Sequence, residues 1–371
     1  MFNKKIYAML FTLCTYTTFS YTSAYSITDT NFVSYKYDEQ QLRPIASLTK
    51  LMNIMVTLDA VKEKKVSLED YVNISKPMTL IKETSIKMDV NDKIKLEDLL
   101  KAEIVHSANN AAYAVAMYVS NNNVDEFIKK MNEKAKQLGM KNTTFYTPTG
   151  LPTKFTQLPL DVSTAKDLGI MGLEALKYKE IIEWAKLKKI NINGYFYYNR
   201  NKLLGENGNF GLKTGYHKLS GFNMIGAFNI HGVNLINVSL NDESNKEKFS
   251  SQEFLTNEYL NKVKRYLEKG STYGVVRVKY SKEKYVEALI DEDFYYYNTD
   301  YVIKEHMYNL KGSIKKNQRV GELKIYSKNN KLITTIYLIS KTSTRKLNIF
   351  ERILEFFGLL KGKKWKHMKI Y

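Results

Sequence analysis

The sequence has a single cysteine, Cys14, among 371 residues. No disulfide can form within the chain. Because Cys14 falls in a segment expected to be removed, neither a thiol nucleophile nor a Cys-ligated metal is expected in the mature protein. Proline is scarce, with five residues, and no stretch is Pro- or Gln-rich enough to be low-complexity, which excludes a fibre or a disordered chain. His106, His217, His231, His306 and His367 are scattered, with no pair at the spacing of a metal hydrolase, so no metal and no other cofactor is expected. Acidic residues are in deficit, 38 against 57 basic ones, leaving a net charge of +19. That balance suits an anionic partner such as nucleic acid, phospholipid headgroups or a wall polymer, and charge alone does not choose among them.

Hydrophobic residues make up 44% and aromatics 13%, enough for a sizeable core, and the length favours two globular units over one. Lys4 and Lys5 precede an apolar stretch from Ile6 to Phe19, and Thr22-Ser23-Ala24 offers small residues for cleavage. This reads as a secretory signal over residues 1–24, with the mature chain starting near Tyr25. A retained membrane helix fits less well, since the stretch carries several threonines and falls short of the ~20 apolar residues a span requires. Leu13 is too bulky for a lipoprotein cleavage site before Cys14. Export removes nucleic acid from the list of partners and leaves a membrane or a wall polymer.

Residues 25–269 mix helical and strand patterns. Pro44 precedes an apolar helix from Ser47 to Val61, with Leu48, Leu51, Met55 and Leu58 at helical spacing. A second helical run, Leu96 to Val105, leads through His106-Ser107-Ala108-Asn109 into the small-residue helix Ala111 to Val119. Phe222 to Ile230 and Val233 to Leu240 are β-rich runs around His231-Gly232, a hairpin pattern, and a polar helix from Ser250 to Leu267 closes the unit. After Gly270-Ser271, alternating runs such as Val275 to Val278, Tyr285 to Leu289 and Leu332 to Ile336 predict a small all-β unit over 270–344. No internal repeat is present.

Three elements carry chemistry. Ser47 and Lys50 lie one turn apart on an otherwise apolar helix, which places a hydroxyl and a desolvated amine on one face. Desolvation lowers a lysine's pKa and lets the neutral amine accept a serine proton. The pattern Ser-x-x-Lys recurs at Ser163, Ser281, Ser313 and Ser343, but in polar stretches where the lysine is solvated. Ser107-x-Asn109 offers a second hydroxyl and an amide at a helix junction, and Ser-x-Asn recurs at Ser120, Ser239 and Ser327. Lys213-Thr214-Gly215, followed by Tyr216, is unique and reads as a strand. On an edge strand, Lys213 and Thr214 aim a cation and a hydroxyl at a carboxylate, and Gly215 leaves room for substrate beside the backbone.

In this order and at these intervals, the three elements resemble the active-site set of penicillin-binding proteins and serine β-lactamases. Pro44-Ile45-Ala46-Ser47-Leu48-Thr49-Lys50, His106-Ser107-Ala108-Asn109-Asn110, Thr147-Pro148-Thr149-Gly150-Leu151-Pro152 and Lys213-Thr214-Gly215-Tyr216 are similar to the D-alanyl-D-alanine carboxypeptidases, the low-molecular-mass penicillin-binding proteins. The resemblance implies an α+β architecture: a β-lactamase/transpeptidase-like domain, an antiparallel sheet with helices on both sides, then a small all-β domain. It further implies Ser47 as nucleophile, Lys50 as general base, Ser107 as proton relay, Asn109 as orienter of the substrate amide, and Lys213 with Thr214 as carboxylate binders. The backbone N–H groups of Ser47 and Tyr216 would form the oxyanion hole. The implied partners are stem peptides ending in D-Ala-D-Ala and β-lactam antibiotics. Two departures stand out: Ala108 replaces the usual Gly between Ser and Asn, and only two dozen residues separate Ala24 from Ser47, where the family has a β-hairpin.

Residues 345–371 hold eight basic residues against Glu351 and Glu355, a balance of +6. Ile349, Ile353, Phe356 and Leu360 repeat at helical spacing opposite Glu351, Arg352 and Glu355, with Trp365 beyond. This predicts an amphipathic helix lying on the membrane surface, and so a peripheral protein on the outer face of the cytoplasmic membrane. Packing of that helix on the β unit is the competing reading. Two other functions compete with the carboxypeptidase. A β-lactamase is disfavoured because no Glu-x-x-x-Asn element of the kind class A enzymes use for deacylation lies between Gly150-Leu151-Pro152 and Lys213. A non-catalytic muropeptide or β-lactam sensor is disfavoured by the intact motif set.

Overall fold

The computed structural model describes residues 20–230, 232–296, 301–327 and 329–359. Residues 1–19 of the expected signal, and 360–371 of the expected membrane-surface tail, lie outside the described residues.

Five strands, β1 (Ser23–Thr28), β2 (Val33–Tyr37), β3 (Asn209–His217), β4 (Gly221–Ile230) and β5 (Val233–Asp242), form one antiparallel sheet in the order β2-β1-β5-β4-β3. The expected hairpin is present, with Ile230 opposite Val233. Helices α1 (Thr49–Lys62), α2 (Leu96–Lys101), α3 (Asn109–Val119), α4 (Val124–Gln137), α5 (Ala165–Ala175) and α6 (Asn245–Lys262) surround it. Alternation along the strands gives the sheet two different faces. Tyr25, Ile27, Ile225 and Ile236 face α5, where Gly169 and Gly172 permit close approach: a Cβ on Gly172 would stand 2.7 Å from Ile236 Cγ2. Ser26, Asn237 and Ser239 face α6 and form a buried polar network. Ser26 donates to Asn237 Oδ1 (2.6 Å), Asn237 donates to Thr256 Oγ1 (2.9 Å), and Gln252 donates to Ser239 Oγ (3.1 Å). The fold is therefore the α+β sandwich expected, with helices on both sides of the sheet.

Several boundaries differ from the sequence expectation. Ser47 is not in the helix but in a 3-10 turn, Ala46–Leu48, that leads into it, and the chain enters that turn through Ala46 at φ +49, in the left-handed region. The run to Val105 divides into α2 and a π-helical turn, Ala102–His106, that ends at Ser107 with φ +68. Helix α6 starts at Asn245, capped by the Ser244 side chain, and ends at Lys262. The next residues, Lys264–Leu267, form a strand paired with Phe294–Tyr296, so the chain enters the second unit before Gly270. At the other end, Ser23 and Ala24 are fully buried in β1, the Thr22 N–H donates to the Leu240 carbonyl, and Ser20 Oγ donates to Asp242. The expected cut after Ala24 thus falls inside a central strand.

The second unit is a six-stranded sheet of β6 (Thr272–Lys279), β7 (Tyr285–Ile290), β8 (Tyr301–Met307), β9 (Leu310–Lys311), β10 (Arg319–Ser327) and β11 (Leu332–Ser340), ordered β8-β10-β11-β7-β6-β9. All pairings are antiparallel except β6 with β9. It continues beyond residue 344: Leu347 is buried and its N–H donates to the Tyr280 carbonyl. A short helix, α7 (Ile349–Phe356), follows, capped by Asn348.

The polar face under α6 predicts a specific weakness. Asn237→Leu should destabilise the protein by about 1–3 kcal/mol, because Ser26 and Thr256 lose a buried partner. Urea denaturation measures this, and an unchanged midpoint would contradict the account.

Candidate active site

Lys50, in the first turn of α1, is fully buried. The helix around it is mostly apolar and buried on nearly every side from Thr49 to Leu58, since α1 runs through the centre of the first unit. Its Nζ lies 2.9 Å from Ser47 Oγ, 2.7 Å from Asn109 Oδ1 and 2.6 Å from the Thr149 carbonyl. The last two partners only accept hydrogen bonds. A neutral amine has two N–H donors for them and one lone pair, which is then left facing the Ser47 hydroxyl. Burial pushes the Lys50 pKa down to about 7, against the opposing pull of Glu103 and Asp161.

The loop that supplies Thr149 is held by Asp161. Its carboxylate accepts from Thr49 Oγ1 (2.8 Å), from Thr147 Oγ1 (2.8 Å) and from the N–H groups of Tyr146 and Thr147. This one side chain ties the start of α1 to residues 146–149. Gly150 closes the contact: with φ +77, a Cβ there would meet Ala46 O at 2.0 Å and Ser47 N at 2.8 Å.

The π-helical turn delivers the second motif. Such turns shift side-chain direction within a helix, and here Ser107 emerges facing β3. Lys213 Nζ, buried on that strand, donates to Ser107 Oγ (2.8 Å) and to the Thr214 carbonyl (2.6 Å). Burial, then the Lys50 and Lys248 charges, push the Lys213 pKa well below the ordinary lysine range. β3 is the edge strand, and Gly215 brings it onto the nucleophile's turn, where a Cβ would stand 2.9 Å from Ile45 O and 3.2 Å from Ser47 N.

A cleft of about 460 Å³ opens over this assembly, lined by Ser47, Ser107, Thr214, Gly215 and Tyr216, with Arg200, Lys202 and Lys248 on its wall. Tyr216 stacks on Phe222, ring centres 4.1 Å apart. Lys50, Asn109 and Lys213 sit behind the lining. All eight residues singled out from the sequence are thus brought to one place. In the other Ser-x-x-Lys copies, Lys166, Lys316 and Lys346 are exposed and Lys284 is partly so. Sequence reasoning missed Asp161, Arg200 and Lys248, and also Glu103, a fully buried carboxyl on the π-helical turn. For Glu103 a signal existed: a lone acid inside the apolar run Ala102 to Val105.

A serine 2.9 Å from a buried lysine amine, with a second hydroxyl held by a second lysine on an edge strand, is the arrangement of a serine hydrolase that works through an acyl-enzyme. Comparison with known proteins agrees. Residues 22–244 match the D-alanyl-D-alanine carboxypeptidase family, and residues 262–346 match the penicillin-binding protein 5 C-terminal domain. The chain belongs to the D-alanyl-D-alanine carboxypeptidase family. It is 28% identical over 274 residues to D-alanyl-D-alanine carboxypeptidase DacF of Bacillus subtilis, covering 71% of this chain and 68% of that one. It is 26% identical over 347 residues to DacD of Salmonella typhimurium, covering 86% and 85%. Among solved structures, the ampicillin-bound penicillin-binding protein D2 of Listeria monocytogenes superposes with a TM-score of 0.59 at 26% identity, over 65% of this chain and 98% of that one. Penicillin-binding protein 5 of Haemophilus influenzae shares the two-unit fold, with a TM-score of 0.63 at 23% identity over 88% of this chain and 98% of the other.

Gly150→Ala should displace the Ser47 turn and slow acylation by a β-lactam on the order of 100-fold, the scale of an ångström misplacement of a reacting group. Acylation kinetics with a fluorescent penicillin measure this. An unchanged rate would show that Gly150 does not set the nucleophile's position.

Proposed function

We propose that the chain removes the terminal D-alanine from peptidoglycan stem peptides through an acyl-enzyme on Ser47. The observation that carries this is the place of Lys50: its buried Nζ lies 2.9 Å from Ser47 Oγ, and once deprotonated it spends its two N–H donors on Asn109 and Thr149 and keeps its lone pair for the Ser47 proton. Ser47 Oγ attacks the carbonyl of the penultimate D-alanine while Lys50 takes the hydroxyl proton. The C–N bond then breaks as the proton taken by Lys50 passes through Ser107 to the departing amine, leaving Lys50 neutral again. Water attacks the resulting ester and gives a proton to Lys50, which returns it to Ser47 Oγ as the ester C–O bond breaks. The N–H groups of Ser47 and Tyr216 hold the oxyanion, a role worth about 3–4 kcal/mol per donor in hydrolases of this kind. Thr214 meets the substrate carboxylate with the Lys213 charge behind it, Arg200 and Lys248 add positive field from the cleft wall, and Asn109 orients the substrate amide. β-Lactams enter by the same attack.

Penicillin should therefore label Ser47 alone, and Ser47→Ala should abolish labelling in intact-mass spectra. Release of D-alanine from a peptide ending Lys-D-Ala-D-Ala should run to many equivalents per protein. The rate should rise with pH through about 7 as Lys50 loses its proton. One equivalent released, followed by a stable adduct, would favour a sensor over an enzyme.

The same proposal extends to location. Family members act on the wall of the cell envelope, and we read this chain as exported and held peripherally on the outer face of the cytoplasmic membrane. Cleavage at or before the Ser20–Tyr21 bond, after Thr18-Phe19-Ser20, would leave β1 whole. Helix α7 supports the membrane contact. Its polar side faces the protein: Arg345 grips Glu351 (2.7 Å), Lys284 pairs with Glu355 (3.4 Å), and Arg352 lies over the Tyr280 ring. Its apolar side faces outward, with Ile349 79% and Phe356 86% exposed. No helix among the described residues is long and apolar enough to cross a membrane.

Truncation after Leu347, which leaves the β unit whole, should release the protein from vesicles containing anionic lipid without changing hydrolysis of small soluble peptides. Binding of the full chain should weaken as salt rises. Retention of the truncated chain on vesicles would place the anchor elsewhere.

A further inference from the structure

His106 has no role in the reaction above, yet it lines the catalytic cleft together with Ser107 and Arg200. It closes the π-helical turn and is partly buried. Beside it runs a hairpin of two strands, Lys189–Ile192 and Tyr195–Tyr198, and the chain leaving that hairpin carries Arg200. Four contacts join the turn to this segment. The Arg200 backbone N–H donates to the Val105 carbonyl (3.1 Å), and its Nε donates to the His106 carbonyl (3.3 Å). The imidazole supplies the other two, with Nδ1 3.5 Å from the Tyr198 carbonyl and Nε2 3.5 Å from Arg200 Nη2. The ring also lies against Tyr197, centres 5.0 Å apart, whose hydroxyl accepts from the Lys87 backbone N–H (2.8 Å).

These partners assign the tautomer. A carbonyl only accepts, so Nδ1 carries the proton; a guanidinium only donates, so Nε2 offers its lone pair. Both contacts hold only for the neutral imidazole. An imidazolium has no lone pair for Arg200 and sets one cation against another.

We propose that His106 is a positioning residue for Arg200: its neutral imidazole holds the guanidinium at the cleft wall, where Arg200 favours substrates with a free terminal carboxylate, and protonation releases that hold. The proposal rests on the acyl-enzyme reading above and adds to it a selectivity that weakens in acid. The charged groups acting on the imidazole are Arg200, beyond the hairpin, and Lys213, on β3, and neither is an acid. Lys87 directs its Nζ to the Tyr195 hydroxyl (2.7 Å), and Lys50, on α1, has its own partners. Glu103, on the same turn, is fully buried, and the helix Lys179–Ala185, packed against the turn, keeps Lys179 and Glu183 exposed. Burial, then the Arg200 charge, push the His106 pKa below the ordinary histidine value. The imidazole is therefore neutral at neutral pH, and its hold on Arg200 is lost as the pH falls through that lowered pKa.

The test is the ratio of kcat/KM for a peptide ending Lys-D-Ala-D-Ala to that for its C-terminal amide, followed in the full chain from about pH 7.5 down to about pH 4.5. Deprotonation of Lys50 serves both peptides alike and cancels, while the peptide carboxylate, with a pKa of about 3.5, stays ionised. In wild type the ratio should fall by about 10-fold on the acid side of about pH 6.5, the scale of one charge-assisted hydrogen bond. Loss of the Lys213 proton would lower the ratio in the opposite direction, as the pH rises. His106→Gln, whose amide oxygen accepts from Arg200 at every pH, should keep the ratio at its neutral-pH level throughout. His106→Leu should keep it at the acid level throughout. A flat wild-type ratio, or one that climbs in acid because the imidazolium itself draws the carboxylate, would overturn the proposal, as would an unaltered step in His106→Gln. A second measurement needs no variant: in wild-type protein labelled with 15N-histidine, the imidazole in contact with the Tyr197 ring should show Nδ1 protonated and Nε2 bare at neutral pH. The opposite tautomer would also overturn the proposal. Absence of any penicillin acylation in wild type would instead overturn the acyl-enzyme reading, and this proposal with it.

Discussion

A primary amine kept from water inside an apolar helix is the constraint on which the rest of the structure depends. Lys50 is fully buried, and its three contacts come from three separate parts of the chain: the turn before α1, the start of α3 and the loop at Thr149. Each must arrive within hydrogen-bond reach of one nitrogen, or the desolvation of that amine is uncompensated. This explains features that otherwise look unrelated. The left-handed Ala46, the glycine at 150 and the saturated Asp161 all bring backbone to one point.

The sheet supplies the other half of the site by presenting an edge. β3 has one neighbour, β4, and the face that carries Lys213 and Gly215 lies against the turn that carries Ser47. Lys213 and Gly215 alternate with Thr214 along it, so cation and close approach fall on one side and the hydroxyl on the other. The buried polar layer between the sheet and α6 is the less economical solution for a core, since apolar groups would pack there without directional demands. Its hydrogen bonds tie β1, β5 and α6 in one register.

The second unit ends in an inversion of the usual pattern for a surface helix. α7 holds the protein through its charges and turns its phenylalanines and isoleucines away. A helix packed on its own domain would bury that apolar stripe. That outward stripe, in a chain segment rich in basic residues, is what supports the proposed contact with a membrane surface.

Periodicity and residue chemistry made much of this legible beforehand. The apolar helix around Lys50, the β-rich hairpin, the all-β second unit and the eight motif residues could be read locally, because side-chain spacing reports which face is buried. The lysine's distinction from four other Ser-x-x-Lys copies was also local, a matter of its neighbours. Other features depended on long-range contacts. That Ser47 sits in a 3-10 turn goes with the close approach of Ala46 to Gly150, a neighbour a hundred residues away in sequence. That Leu96 to His106 breaks into α-helix and π-helical turn follows from Ser107 having to meet Lys213, and helix propensity contains no such instruction. The cleavage expected after Ala24 satisfied every local rule and still fell inside β1, because pairing with β5 is invisible until the chain has folded. Glu103 shows the division most plainly: the sequence marks an acid in an apolar run, but only the tertiary structure shows it fully buried, with no hydrogen-bond partner among the described residues.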